Sequence, residues 1–100
     1  MARSKQFALR VMKMTDALPH SAKGKVIANQ ILRSATAVAS GYRAACPARS
    51  KVLEEADESL LWLELTEDGG LLSSRRIGPL KTEASELTAI FAAIHKSSKF

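Results

Sequence analysis

The sequence predicts an all-α protein, a single domain over residues 1–100 that folds as an antiparallel four-helix bundle. Three observations predict this fold. Apolar residues make up 46% of the 100 residues but aromatic residues only 5%, with Ala and Leu dominant, which favours closely packed helices over sheets. Apolar residues recur at helical spacing in four segments. No segment alternates between apolar and polar residues as a half-buried strand does.

The first two helices are predicted over residues 4–18 and 22–45. Pro19 ends helix 1, because the residue before a proline is disfavoured in the helical conformation. Ser21 is a suitable N-cap for helix 2, and Pro47 ends that helix. The predicted core positions are Phe7, Val11, Met14 and Leu18 in helix 1, and Ile27, Ile31, Ala35, Val38 and Tyr42 in helix 2.

Helices 3 and 4 are predicted over residues 50–65 and 79–96. The pair Gly69-Gly70 ends helix 3, and residues 71–78 form a connection that carries Arg75 and Arg76. Pro79 is expected in the first turn of helix 4, where its missing N–H is tolerated. The predicted core positions are Leu53, Ala56, Leu60 and Leu63, widened by Leu61, Trp62 and Leu65, and then Leu80, Ala84, Leu87, Phe91 and Ile94.

Charge is distributed unevenly along this basic chain, whose formal net charge is +5. Residues 1–51 hold ten Lys and Arg residues and one acid, whereas residues 54–68 hold seven acids and no base. Either the acidic helix 3 neutralises its basic neighbours, or the bases form a surface for nucleic acid or another acidic partner. The candidate nucleic-acid-binding residues are Arg10, Lys13, Lys23, Lys25, Arg43, Arg49, Lys51, Arg75 and Arg76.

No residue pattern predicts a catalytic, cofactor or metal site. His20 and His95 stand alone in the sequence, and the clustered acids belong to one helix, so the Glu-x-x-His pairs of di-metal bundles are missing. The single cysteine, Cys46, excludes an internal disulfide and gives no metal-ligand spacing, so we expect the reducing cytoplasm. No apolar stretch approaches the roughly 18–20 residues that span a bilayer.

One face of helix 2 combines polar and small residues. Gln30, Arg33, Ser34 and Ala37 share this face at i, i+3, i+4 and i+7. This pattern predicts a close contact with a neighbouring helix through hydrogen bonds, with Arg33 paired to an acid of helix 3. The candidate partners are Asp57, Glu58 and Glu64.

That polar segment also carries a family resemblance. Nearly the whole chain resembles the family of four-helix-bundle proteins named for the 23S ribosomal RNA intervening-sequence protein. The matching stretches are residues 7–11, 17–19, 26–34, 48–51 and 55–65, and residues 30–34 read with 55–64 are the most specific. The family is related in fold to the accessory variability protein of diversity-generating retroelements. The resemblance implies a homo-oligomer, often a five-fold ring (a pentamer) with a central channel, and no enzyme activity. It implies structural or subunit-contact roles for Gln30, Arg33, Ser34, Tyr42, Glu55, Asp57, Glu58 and Trp62.

The chain departs from the family pattern at the far end of helix 2. Gly41 stands where the family usually has Asn, Ala44 where it has Glu, and Pro47 interrupts a basic stretch. Relative to the family, about two to three turns are missing from the start of helix 3, which is then predicted to be about 24 Å long against about 36 Å for helix 2. Three interpretations are open for the region around Val38 and Tyr42. The bundle tapers there, a second subunit covers the region, or the chain is a decayed copy of a longer family member.

Two functional hypotheses follow. The first is a non-catalytic oligomeric module that binds nucleic acid or associates with a nucleic-acid enzyme. The alternative is an oligomeric protein–protein scaffold without a nucleic-acid role, in which the charges serve assembly. Neither hypothesis includes a cofactor or a membrane.

Overall fold

The four apolar patterns fold into four helices that pack side by side. The computed structural model describes residues 2–43 and 49–97, with the side chains of residues 2–41 and 51–94. Consecutive helices lie antiparallel, and α1 also contacts α4, which closes a bundle of 45 × 20 × 20 Å. The all-α four-helix prediction is confirmed. The helices are α1 (Ala2–Thr15), α2 (Ala22–Arg43), α3 (Arg49–Asp68) and α4 (Ser74–Ser97).

The core lies along the bundle axis and contains most of the predicted positions in α1, α2 and α4. Because residues three and four apart share one face of a helix, these positions form continuous buried stripes. Ile77 of α4 is also fully buried and was not predicted. The confirmed core residues are Phe7, Val11, Met14, Leu18, Ile27, Ile31, Ala35, Val38, Leu80, Ala84, Leu87 and Phe91.

The link between α1 and α2 is tight. Helix α1 ends at Thr15, earlier than predicted, and the chain turns so that Leu18 still reaches the core. The Ser21 hydroxyl accepts a hydrogen bond from the Gly24 N–H at 3.2 Å, which confirms the predicted N-cap. A Cβ on Gly24 would lie 1.8 Å from the Pro19 carbonyl oxygen, so only glycine fits there.

Helix α3 is rotated relative to its predicted orientation. Its buried face carries Val52, Ala56 and Leu63 together with the small polar residues Ser59 and Thr66. These two hydroxyls can be buried because each donates to a backbone carbonyl one turn earlier, Ser59 to Glu55 at 2.9 Å and Thr66 to Trp62 at 2.7 Å. The predicted stripe was therefore partly wrong: Leu53 and Leu60 are half-buried, and Leu61 and Leu65 are exposed.

Helix α3 is longer than predicted because it continues to Asp68, and the turns missing from its start relative to the family stay a prediction. Helix α3 has 20 residues and α2 has 22, which correspond to about 30 Å and about 33 Å. Val38 is buried within the bundle, so no taper exposes it. The two helices also approach closely near this end: a Cβ on Gly41 would lie 2.5 Å from Cγ2 of Val52. The side chain of Tyr42 lies outside the described residues.

A glycine turn ends α3. Gly70 has a φ of 72°, in the left-handed region that glycine adopts readily. The Gly70 N–H donates to the Glu67 carbonyl at 3.0 Å, and the Leu71 N–H donates to the Thr66 carbonyl at 3.0 Å. This is the Schellman arrangement, and it confirms the predicted end of the helix at the two glycines.

Helix α4 begins five residues before its predicted start. The Ser73 hydroxyl accepts a hydrogen bond from the Arg76 N–H at 3.3 Å and caps the helix. Residues 74–78 are therefore helical, and Arg75 and Arg76 lie in the first turn, not in a connection. Pro79 lies inside the helix, where it costs about 3 kcal/mol. Burial of Ile77 offsets roughly 1.5–3 kcal/mol of that cost.

No helix of residues 2–43 and 49–97 is both long enough and apolar enough to cross a membrane.

Candidate nucleic-acid interface

Helices α2 and α3 meet through a charged cluster. The Arg33 guanidinium donates from Nη1 to Oε1 and Oε2 of Glu55, at 3.2 and 3.3 Å, and from Nη2 to Glu58. Lys51 Nζ lies 3.4 Å from Glu55 Oε2, and Trp62 Nε1 donates to Glu58 Oε2 at 3.0 Å. Glu55 is almost fully buried, so two cations at the edge of the contact compensate one buried carboxylate.

Below this cluster the two helices touch through small hydroxyl side chains. Ser34 Oγ and Ser59 Oγ lie 3.0 Å apart and share a hydrogen bond, and Ser34 Oγ also lies 3.3 Å from the Ile31 carbonyl oxygen. Both serine side chains are fully buried. The close, hydrogen-bonded contact that the helix 2 pattern predicts is confirmed.

The predicted acidic partners of Arg33 are only partly right. Glu58 pairs with Arg33, but Asp57 and Glu64 are exposed and make no ion pair with the described residues. Glu55 was missed as a partner, although it lies four residues before the buried Ser59 and therefore on the same face. Gln30 is half-buried on the same side of α2.

Two further ion pairs join neighbouring helices. Arg3 of α1 donates to Glu83 at 2.7 and 3.1 Å and to Glu86 at 2.7 Å, and these two carboxylates raise the pKa of Arg3. Lys81 of α4 donates to Glu67 of α3 at 2.5 Å. This hydrogen bond lowers the pKa of Glu67 and raises the pKa of Lys81.

An open groove of about 280 Å³ lies between α1 and α4. We call it the basic groove: Arg10 and Lys13 of α1 face Arg76 of α4, and all three are exposed. None of the three forms an ion pair with the described residues. Met14, Pro79 and Leu80 also line the basic groove.

The nine candidate nucleic-acid-binding residues are not all brought together. Arg10, Lys13 and Arg76 line the basic groove, and Arg75 precedes Arg76 in the first turn of α4. Lys23 and Lys25 lie in the first turn of α2, at the same end of the bundle. The remaining three belong to the opposite end: Lys51 is paired with Glu55, and the side chains of Arg43 and Arg49 lie outside the described residues.

The basic groove is chemically suited to an anion. Arg75 and Arg76 lie at the N-terminus of α4, where the helix dipole adds positive potential and disfavours cations. A phosphate group there relieves this repulsion and meets guanidinium groups that can bind its oxygens in a bidentate manner. The groove therefore combines three cations, a helix N-terminus and an accessible volume.

The part of the chain that the structure describes contains no candidate metal site and no cysteine. Within it, no three His, Cys, Asp or Glu residues form a group that could hold a metal ion. His20 is exposed in the link between α1 and α2. Cys46 and the side chain of His95 lie outside the described residues.

Comparisons with protein-family models, curated proteins and solved structures give no match for this chain. They support no family assignment, so the resemblance of residues 30–34 and 55–64 stays a prediction.

Proposed function

We propose that this chain is a non-catalytic accessory protein that binds nucleic acid, and that the basic groove contacts the phosphate backbone. The observation that supports it best is the convergence of Arg10, Lys13 and Arg76 from two helices onto one open groove without neutralising partners among the described residues. Cations left unpaired at one site attract a polyanion because binding releases its condensed counterions.

A contrast within the molecule supports the proposal. Basic residues that face the acids of α3 and α4, such as Arg33 and Lys81, are paired internally. The cations of the basic groove are not, and Arg75 and Arg76 occupy positions that disfavour them for folding alone. Residues that break a local rule without a structural gain are often kept for function.

The proposal is for backbone binding without base recognition. The side chains that line the basic groove include no aromatic ring on which a base can stack. Arginine and lysine contacts to phosphates position a protein on nucleic acid but carry no direct sequence information. We therefore expect similar affinity for different sequences of the same nucleic acid.

The resemblance to the 23S ribosomal RNA intervening-sequence protein family is part of this proposal. It implies an oligomer, often a five-fold ring, and a basic surface that meets nucleic acid in the related accessory proteins. The bundle and the Arg33–Glu58–Trp62 contact, which joins the two segments that carry the resemblance, support it. A cytoplasmic location fits the same proposal.

The test is the salt dependence of binding. Nuclease-treated protein is titrated into fluorescein-labelled RNA and DNA, and anisotropy is followed over a series of salt concentrations. The slope of log K against log [salt] is negative, and we expect its magnitude to decrease by about 0.7–0.9 when one phosphate contact is lost. The variants that test this are Arg10→Ala, Lys13→Ala and Arg76→Ala.

The matched control is Lys5→Ala, which removes one exposed cation of α1 outside the basic groove. We expect this variant to retain the wild-type slope. No binding at low salt, or an equal loss in the control, would overturn the proposal.

The alternative function is a protein–protein scaffold. The observation that favours it is the set of exposed, unpaired acids on α3, which can meet basic helices of a partner. Four such acids make no ion pair with the described residues: Glu54, Asp57, Glu64 and Asp68. An assembled protein that binds neither RNA nor DNA at low salt would favour this alternative.

A further inference from the structure

A second groove, of about 420 Å³, lies between the first turns of α2 and the last turns of α3. We call it the apolar groove. Val26 of α2 and Leu65 of α3 line it and are 55% and 43% exposed. Its volume falls within the range of roughly 300–1,000 Å³ that is usual for small-molecule sites. The groove is lined by Ala22, Lys23, Val26, Ile27, Leu65, Gly69 and Leu71.

The apolar surface of this groove is short. Leu61, one turn before Leu65, is 47% exposed and continues the surface along α3. From Gly69 to Leu61 the surface is about 12 Å long, since each residue of a helix adds about 1.5 Å. The preceding turn of α3 carries Glu58, which pairs with Arg33 of α2, so the apolar surface ends there.

The dimensions of the apolar groove suit a small molecule better than a folded protein. A stable protein–protein contact buries about 800 Å² on each partner. Packed helix axes lie about 8–10 Å apart, so an apolar strip about 12 Å long covers on the order of 100 Å². This area is too small for a protein partner but sufficient for a hydrocarbon chain that lies along the two helices.

The lining of the apolar groove favours an aliphatic ligand. Apart from Lys23, the described residues that line it have no polar side-chain atom, and none has an aromatic ring. A polar group in the body of the ligand would therefore lose its hydrogen bonds to water without a replacement, and a flat ring would find no ring to stack on. A flexible hydrocarbon chain meets neither obstacle.

One edge of the apolar groove is electropositive. Lys23 is exposed in the first turn of α2, where the helix dipole favours an anion, and it forms no ion pair with the described residues. The acids Glu64 and Asp68 of α3 lie towards α4 instead. There the pKa of Lys81 is raised by its hydrogen bond to Glu67 and further by the charges of these acids.

We infer that the apolar groove binds one aliphatic monocarboxylate of medium chain length, with its carboxylate at Lys23 and its chain between Val26 and Leu65. The chain removes exposed apolar surface from water, and the carboxylate gives Lys23 an anionic partner. This inference goes beyond the proposed function and does not depend on it, because the basic groove lies between α1 and α4.

The first experiment titrates the protein with straight-chain carboxylates by isothermal titration calorimetry, without nucleic acid and below the concentrations at which the ligands form micelles. Decanoate is expected to bind at one site per chain. From hexanoate upwards, the affinity is expected to rise about fourfold for each added methylene and to level off once the chain fills the groove. Decyltrimethylammonium, with a chain of the same length and the opposite charge, is expected to bind clearly more weakly.

The second experiment repeats the decanoate titration with variants of the groove. Lys23→Gln is expected to weaken binding about two- to fivefold, as the loss of an exposed ion pair does. Its matched control is Lys25→Gln, which removes an exposed cation of the same turn that does not line the groove. Leu65→Gln is expected to weaken binding about fivefold through lost apolar contact. Its control is Leu9→Gln, at a residue that is 47% exposed on α1.

Both controls are expected to retain the wild-type affinity, and circular dichroism verifies that all four variants are folded. Three outcomes would overturn the inference: no binding of decanoate at millimolar concentration, an affinity that keeps rising with chain length or is equal for the cationic ligand, or equal losses in a groove variant and its control. Arg76→Ala is expected to weaken nucleic-acid binding and leave the decanoate titration unchanged. The failure of the proposed function is therefore distinguishable from the failure of this site.

Discussion

The contact between α2 and α3 and the contact between α1 and α4 differ in the burial and pairing of their charged residues. In the α2–α3 contact, Glu55 is buried and held by Arg33 and Lys51, above the buried Ser34–Ser59 pair. In the α1–α4 contact, the Arg3 ion pairs are exposed, and the cations of the basic groove have no partner among the described residues.

This difference indicates that the two contacts serve different purposes. A buried carboxylate must be compensated, because an unpaired charge in a low-dielectric interior is costly, so the α2–α3 contact specifies how these helices align. Exposed cations cost little in water and remain available to a ligand. The first region therefore serves the fold, and the second is free for binding.

The largest expected effect comes from filling the α2–α3 contact. Ser59→Leu inserts a bulky side chain where two fully buried serines touch, and we expect it to destabilise the protein by about 3 kcal/mol. Urea unfolding followed by circular dichroism measures the change. Ser85→Leu on the exposed surface of α4 is the control, with an expected change within about 0.5 kcal/mol. Equal losses in both variants would contradict the close packing of α2 against α3.

A smaller loss is expected from removing the cation of that contact. Arg33→Ala leaves Glu55 buried with only Lys51 nearby, and we expect a loss of about 2 kcal/mol. Arg3→Ala removes a guanidinium of the α1–α4 contact that water already solvates, so its effect on unfolding should be clearly smaller. If Arg3→Ala is the more damaging variant, the comparison of the two contacts is wrong.

The smallest expected effect is the pH dependence of the Lys81–Glu67 pair. Because Lys81 lowers the pKa of Glu67 in the folded state, the pair stabilises the protein fully above the ordinary pKa of 4.5 and loses its effect as the pH falls through the lowered value. Because the pKa of Lys81 is raised in the folded state, the pair also contributes its full stability below the ordinary lysine pKa of 10.5 and loses it as the pH rises through the raised value. Glu67→Gln should therefore lower the midpoint of thermal unfolding at neutral pH, and the difference from the wild type should disappear in strong acid. A difference that persists in strong acid would contradict this ion pair.

Part of the candidate site is predictable from sequence. The spacing of Gln30, Arg33 and Ser34 indicates a polar helix contact, since such residues rarely share a solvated face with so many small neighbours. The basic groove is not predictable in the same way, because Arg10 and Arg76 come together only when α1 packs beside α4. The early start of α4 was hidden by Gly78 and Pro79, although the Ser73 cap and the spacing of Ile77 from Leu80 indicate it.

The sequence by itself determined the four helices, the core faces of α1, α2 and α4, and the uneven charge, because these depend on local spacing and composition. Only the tertiary structure decided which way α3 faces, since its leucines outnumber the positions in the core. There the small Ser59 side chain contacts Ser34 and allows a close approach to α2, and Leu61 and Leu65 are left on the surface. The structure also decided which cations are neutralised, because that depends on which helices become neighbours.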